Sequence, residues 1–130
     1  MRLLRGHHLI CLHFFNGEGY DDIFVKNLEK VLEDVCEGGG RIVEGADDVC
    51  RACPHLRGGR CSYKKGEDEI RRLDELALSL LGLGVGDVVR WDSLESRLRP
   101  IFQKWVQAAC AKCDWRKVCG GTEMWRWVEP

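Results

Sequence analysis

This sequence predicts a mainly α, single-domain protein with short β pieces, organised around cysteine-rich metal-binding loops. Three observations carry that reading. Apolar residues recur at spacings of three and four across 21–36 and again across 67–81, laying one apolar stripe along each segment. Runs with the character of strands are brief. Two cysteine triplets, CRACPHLRGGRC and CAKCDWRKVCGG, interrupt the helical pattern, and the loop around the first has no apolar core of its own.

Residues 7–15 form a compact apolar segment bearing His7, His8, Cys11 and His13, which reads equally as a buried strand or a short helix. GEGY at 17–20 is a turn. From Asp21 to Cys36 a helix is expected, with Phe24, Leu28, Val31, Leu32 and Val35 on one face. Asp21 or Asp22 caps its start, and Gly38 to Gly40 end it. Arg41 to Glu44 is a short β-like run leading into the first triplet, which lies in a loop from Asp47 to Gly66. A second helix spans about Glu67 to Leu81, with Ile70, Leu73, Ala77, Leu80 and Leu81 on one side, and GLGVG stops it.

Val88, Val89 and Trp91 suggest a brief extended piece. Asp92, with Glu95 three residues later, resembles a capping box. Pro100 is expected to break or kink the segment after it, or to open a new helix as its first residue. Ile101, Phe102, Trp105, Val106 and Ala109 then give a helical face that ends at the second triplet, with Trp105 read as core. In the tail Trp125 and Trp127 alternate, as on one face of an extended strand.

A chain of 130 residues can bury a real core, so its eight cysteines are not needed as staples for a domain too small to fold. The formal net charge of -1 argues against a protein that mainly binds nucleic-acid phosphates. At the N-terminus, MRLLRGHHLICLHFF places arginines before apolar residues, but histidines interrupt the run and no small-residue cleavage site comes after it. No stretch approaches the roughly 18 to 20 apolar residues that a membrane span needs. The expectation is a cytoplasmic protein. In that reducing compartment clustered cysteines are metal ligands or redox thiols more often than disulfides.

The triplets are Cys50, Cys53, Cys61 and Cys110, Cys113, Cys119. Each begins with two thiols two residues apart, so one backbone turn can aim several sulfurs at a single point. Close thiolates repel unless a cation holds them. Zinc sites usually pair two knuckles of two ligands; here each motif supplies three, which suits a cubane whose four irons each take one protein ligand. An iron–sulfur cluster, 4Fe–4S, is therefore preferred to zinc. Cys11 is the first choice for a remote fourth ligand. Cys36 completes eight thiols for two clusters, and equally suits a buried, inert cysteine. His7, His8, His13 and His55 can substitute.

Flanking basic residues (Arg51, Arg57, Arg60 and Lys64 at the first triplet; Lys112, Arg116 and Lys117 at the second) would favour thiolates, or are simply solvated. Trp115 is placed to shield the second centre from water. Asp47 and Asp48, just before Cys50, read as a cap or turn rather than as catalytic carboxylates.

The second triplet, CAKCDWRKVCGG, resembles the SPASM-type auxiliary-cluster segments appended to radical enzymes that use S-adenosylmethionine. That resemblance implies Cys110, Cys113 and Cys119 as cluster ligands. The segment lacks the further cysteine expected soon after the glycines, and the chain lacks the three-cysteine signature of the radical-generating site, so no radical activity carries over. Through GHHLICLHFF, VEGADDVCRACPHLRGGRC and AACAKCDWRKVCGG the whole chain resembles a family of small bacterial and archaeal proteins, domain of unknown function 1284. The resemblance implies a small cysteine-rich protein that binds iron–sulfur clusters, without an established reaction.

Three functions compete. The first is an iron–sulfur protein that moves electrons to or from a redox partner protein; no nucleotide fingerprint points to a self-contained redox enzyme. The second is a structural-zinc module that binds a protein or a nucleic acid. The third is a small iron–sulfur enzyme with an open or non-cysteine position, in which His7, His8 and His55 would serve as acid, base or labile ligand. No catalytic residue is assigned.

Overall fold

The computed structural model of the chain describes residues 1–111 and 113–129. Lys112, one of the basic residues beside the second triplet, lies outside them. The architecture is mainly helical, as expected, with one small sheet and one hairpin.

Strand β1 (Arg2–Arg5) pairs in parallel with β2 (Gly40–Val43), and β5 (Val88–Val89) adds antiparallel to β2. A parallel pair needs a crossover. Here it is made by α1 (His8–Cys11), a 3₁₀ turn at Leu12–Phe14 and α2 (Asp22–Gly38). Of residues 7–15, ambiguous in sequence, His8 to Phe14 are thus helical. Strand β1 comes directly after the first methionine and has too few residues for a readable period; Leu4 and Arg5 at its end are fully buried.

Helix α2 behaves as its stripe predicts. Asp21 caps it by accepting from the Phe24 amide at 2.7 Å, and Gly39 closes it. Leu28, Val31 and Val35 are buried, with Phe24 and Leu32 against them. Helix α3 (Glu67–Leu81) buries Ala77 and Leu81 and ends at Gly82. Between α2 and α3 stands a hairpin, β3 (Leu56–Arg57) and β4 (Arg60–Cys61). Its turn is Gly58–Gly59, both at positive φ (57° and 76°), which glycine adopts without a steric penalty and which matches the twist of a two-residue hairpin.

Helix α4 (Trp91–Trp105) corrects two expectations. Asp92 lies inside the first turn and accepts from its neighbour Ser93 instead of capping the helix. Pro100 neither stops the helix nor starts a new one. It removes one amide donor, but Pro100 and Ser96, whose carbonyl loses its partner, are both exposed, so that carbonyl is not left in an apolar interior. Leu94, Leu98, Phe102 and Trp105 face the core. The helix then widens into a π turn, Val106–Cys110, closed by the Ala111 amide on the Val106 carbonyl at 3.1 Å. Short helices α5 (Arg116–Gly120) and α6 (Glu123–Val128) complete the chain.

The tail is therefore helix, not strand. Thr122 caps α6 by accepting from the Trp125 amide, and Glu123 sits favourably in its first turn. Trp125 enters the core against Phe102 and Phe14, whereas Trp127 is exposed beneath the Arg99 guanidinium.

Candidate metal centre

The two triplets share one backbone design. In the first, the Cys53 amide donates to the Cys50 carbonyl at 2.9 Å and Leu56 to Cys53 at 3.1 Å. In the second, Cys113 donates to Cys110 at 3.1 Å and Arg116 to Cys113 at 3.2 Å. Each triplet is a pair of successive turns, with Cys113 exposed and the other five thiols half-buried. The third thiol comes from the β4 strand in one case (Cys61) and from α5 in the other (Cys119).

Both open onto one cavity of about 670 Å³. Its lining includes Cys11, Cys50, Cys53, Cys61, Cys110, Cys113 and Cys119, together with His7 and His8. Seven thiols from three separated stretches thus face a common space, all of them free. Cys36 does not join them: it is exposed on α2, so neither the ligand reading nor the buried-thiol reading describes its place. His55 packs edge-on against Tyr20 and lies beside Tyr63, outside the lining. His13 stacks on Trp91 at 3.9 Å and is likewise not in the lining; burial pushes it down to about 4, so it is neutral.

Electrostatics sort the seven into two sets. The Cys11 thiol is pushed far up by burial and then by Cys110, Cys113 and Cys119, which stand close to it. Cys110 rises to about 11, through burial first and then through Cys113 and Cys119. Cys11 therefore groups with the second triplet. In the first, burial and the Asp47 charge lift Cys50 to about 12, and burial, then Cys61, raises Cys53. Thiols held this far up stay protonated until a cation displaces the protons.

An aromatic group joins the two sets. Tyr20 meets Trp115 of the second triplet loop at 5.3 Å, and His55 and Tyr63 of the first at 4.7 and 6.0 Å. Burial raises its hydroxyl pKa, as do Cys53, Cys61 and Cys113. The Tyr63 hydroxyl donates to Asp114, and Lys64 pairs with the same carboxylate at 3.2 Å. Trp105, fully buried in the cavity wall, has an indole N–H with no partner among the described residues.

Behind the first triplet lies a buried polar network that sequence reasoning missed. Arg5, with no exposed surface, reaches Asp74 at 2.8 Å, Glu67 at 2.7 Å and the Cys50 sulfur at 3.7 Å. Burial opposes its charge, but the two carboxylates hold it protonated. Glu67 also accepts from the Cys61 amide at 2.9 Å, and despite burial its pKa falls to about 2 through Arg5. Gly6 makes the approach possible: a Cβ there would lie 2.4 Å from the Asp74 carbonyl.

The adjacent histidines are each held by a carboxylate. His7 Nδ1 lies 2.6 Å from Asp74, and His8 Nδ1 lies 2.6 Å from Asp47. Burial, with His8 alongside, lowers His7, although Asp74 pulls the other way. Asp47 also accepts from the amides of Arg5, Val49 and Cys50 at 2.7, 3.0 and 3.0 Å. Burial disfavours its charge, yet His8 and these amides hold its pKa well below the carboxylate range. The turn reading of Asp47 thus holds and is incomplete.

Among the flanking bases, Arg51 pairs with Asp48, Arg57 bonds the Pro54 and Leu56 carbonyls, and Arg60 pairs with Asp68. Arg116, over the face of Trp125, works against the rise that burial imposes on Cys110 and Cys119. The cation at the first triplet is instead Arg5.

The family described as "Protein of unknown function (DUF1284)" matches residues 19–119. No curated protein and no solved structure matches the chain. No helix among the described residues is long and apolar enough to cross a membrane.

Proposed function

The chain belongs to the DUF1284 family of proteins of unknown function, and from its own geometry we propose that it is an iron–sulfur protein that moves electrons. One observation carries the reading: seven thiols from three separated stretches line a single cavity. Cys11, Cys110, Cys113 and Cys119 would hold one 4Fe–4S centre, and Cys50, Cys53 and Cys61 a second. The centres would supply one-electron transfer at potentials set by their surroundings.

The surroundings fit such a group. A single zinc ion draws its sulfur donors in to about 2.3 Å; a cavity of about 670 Å³ has room for a polynuclear centre. The unpartnered Trp105 indole is a donor suited to an inorganic sulfide. Tyr20, Trp115 and Trp125 supply aromatic wall to the same cavity. A redox partner protein would deliver and remove the electrons, and the reducing cytoplasm is the compartment such free thiols suit.

The test is anaerobic purification, then iron, sulfide and zinc analysis. Iron and sulfide in equal amounts, with a brown colour that bleaches reversibly on reduction, support the proposal. A colourless chain with stoichiometric zinc supports the structural-zinc reading and sinks this one.

A further inference from the structure

Resting on that reading, we infer that His8 is the fourth protein ligand of the centre on Cys50, Cys53 and Cys61. With Cys11 assigned to the other centre, no thiol is left to complete this set. Cys11 stands with Cys110, Cys113 and Cys119, and Cys36 is exposed on α2, outside the cavity lining. A ring nitrogen of His8, a carboxylate oxygen of Asp47 and the Cys50 sulfur lie within 4.8 Å of one another.

Of the two non-sulfur groups, Asp47 is already committed. One of its oxygens accepts from the amides of Val49 and Cys50, the other from the Arg5 amide and from His8. Four bonds fill the positions a carboxylate offers. Its part is to orient. An ionised carboxylate can only accept, so His8 Nδ1 carries the hydrogen, which leaves Nε2 as the ring nitrogen that can bind a metal. A carboxylate fixing the far nitrogen is the usual support of a metal-bound imidazole. Because the same carboxylate also holds the Cys50 amide, it sets histidine and thiol in one register.

Charge favours imidazole here. Asp47, Glu67 and Asp74 are buried around Arg5, and a fourth thiolate would add another negative charge. His8 adds none. The placement also agrees with helix geometry: His8 and Cys11 are three residues apart on α1, hence on one face. That single turn hands one ligand to each centre. His7, tied to Asp74 through both its backbone amide and its ring, lies outside the close group.

The test uses the anaerobically purified full chain, reduced, in pulsed electron paramagnetic resonance. The wild type is expected to show a strongly coupled nitrogen on one of its two centres, absent in His8→Ala. His8→Cys should restore full iron content with that centre's potential shifted downward, because an anionic ligand replaces a neutral one. Far-UV circular dichroism verifies that both variants fold. A wild-type chain that carries both centres without nitrogen coupling, or a His8→Ala chain with unchanged spectra and potentials, overturns the inference alone. A wild-type chain without iron overturns the parent reading as well.

Discussion

The two cysteine triplets have the same succession of backbone turns and very different surroundings. The first backs onto charge: Arg5, Glu67, Asp74 and Asp47, with His8 at its edge. The second backs onto the apolar core through Cys11, Trp105 and Trp125, with Arg116 as the cation acting on its thiols. A local sequence motif therefore fixes the direction of the sulfurs and leaves the electronic character of the site to residues far away in the chain. Two centres built on one design would differ in potential for that reason.

The comparison breaks most sharply at Cys11. Cys11→Ser should cost the centre of the second triplet, about half of the bound iron, while Cys36→Ser changes neither iron content nor spectrum. Metal analysis of the two variants reads this directly, and equal losses would mean that the sets are sorted wrongly.

The charged side is tested by Arg5→Met. Removing the guanidinium takes away the buried cation that Glu67 and Asp74 share, leaving Glu67 to Arg71 and Asp74 to His7, for an expected loss of about 3 kcal/mol. The analogous change at the other triplet, Arg116→Met, removes an exposed stacking contact and a cation beside thiols that carry no charge in the metal-free chain, and should cost less than about 1 kcal/mol. Urea titration of the metal-free proteins compares them.

Acid probes the same asymmetry. The Glu67 pKa falls from an ordinary 4.5 to about 2 in the folded chain. A depressed carboxylate stabilises the fold above its unfolded pKa, and that stabilisation is lost as pH falls through the folded one. Stability should therefore decline between about pH 4.5 and pH 2, by on the order of 3 kcal/mol from this group. Glu67→Gln should be less stable at neutral pH and flatter over that window, as monitored by circular dichroism.

The smallest effect belongs to the apolar side. Trp105→Phe keeps the packing and deletes the unpartnered N–H. Folding should change by less than about 1.5 kcal/mol. The potential of one centre should fall, since a lost donor to sulfur makes reduction harder.

How much of this could be read from residues alone depended on distance along the chain. Helices α2 and α3 were legible because their stripes are local. The triplets are legible because their cysteines sit within a dozen residues of one another. Arg5 was not, because its partners Glu67 and Asp74 lie 62 and 69 residues away, and nothing near Arg5 marks it as buried. The tail misled through a competing period: Trp125 and Trp127 alternate like a strand, while the deciding signal was Thr122 beside Glu123, a capped helix start. Pro100 misleads because the rule that it stops helices weighs most where the freed carbonyl is buried, and Ser96 is exposed. Asp47 is the turn residue its sequence context predicts; its hold on His8 appears only once β1 and α1 pack against the loop.

The central claim is that both triplets face one cavity and hold iron there. Full anaerobic reduction with electron paramagnetic resonance tests it most directly. Two reduced centres in one cavity should give a broadened, mutually coupled spectrum that collapses to a simple isolated signal in Cys110→Ser. Two sharp, independent signals, or a silent protein that contains no iron, would contradict it.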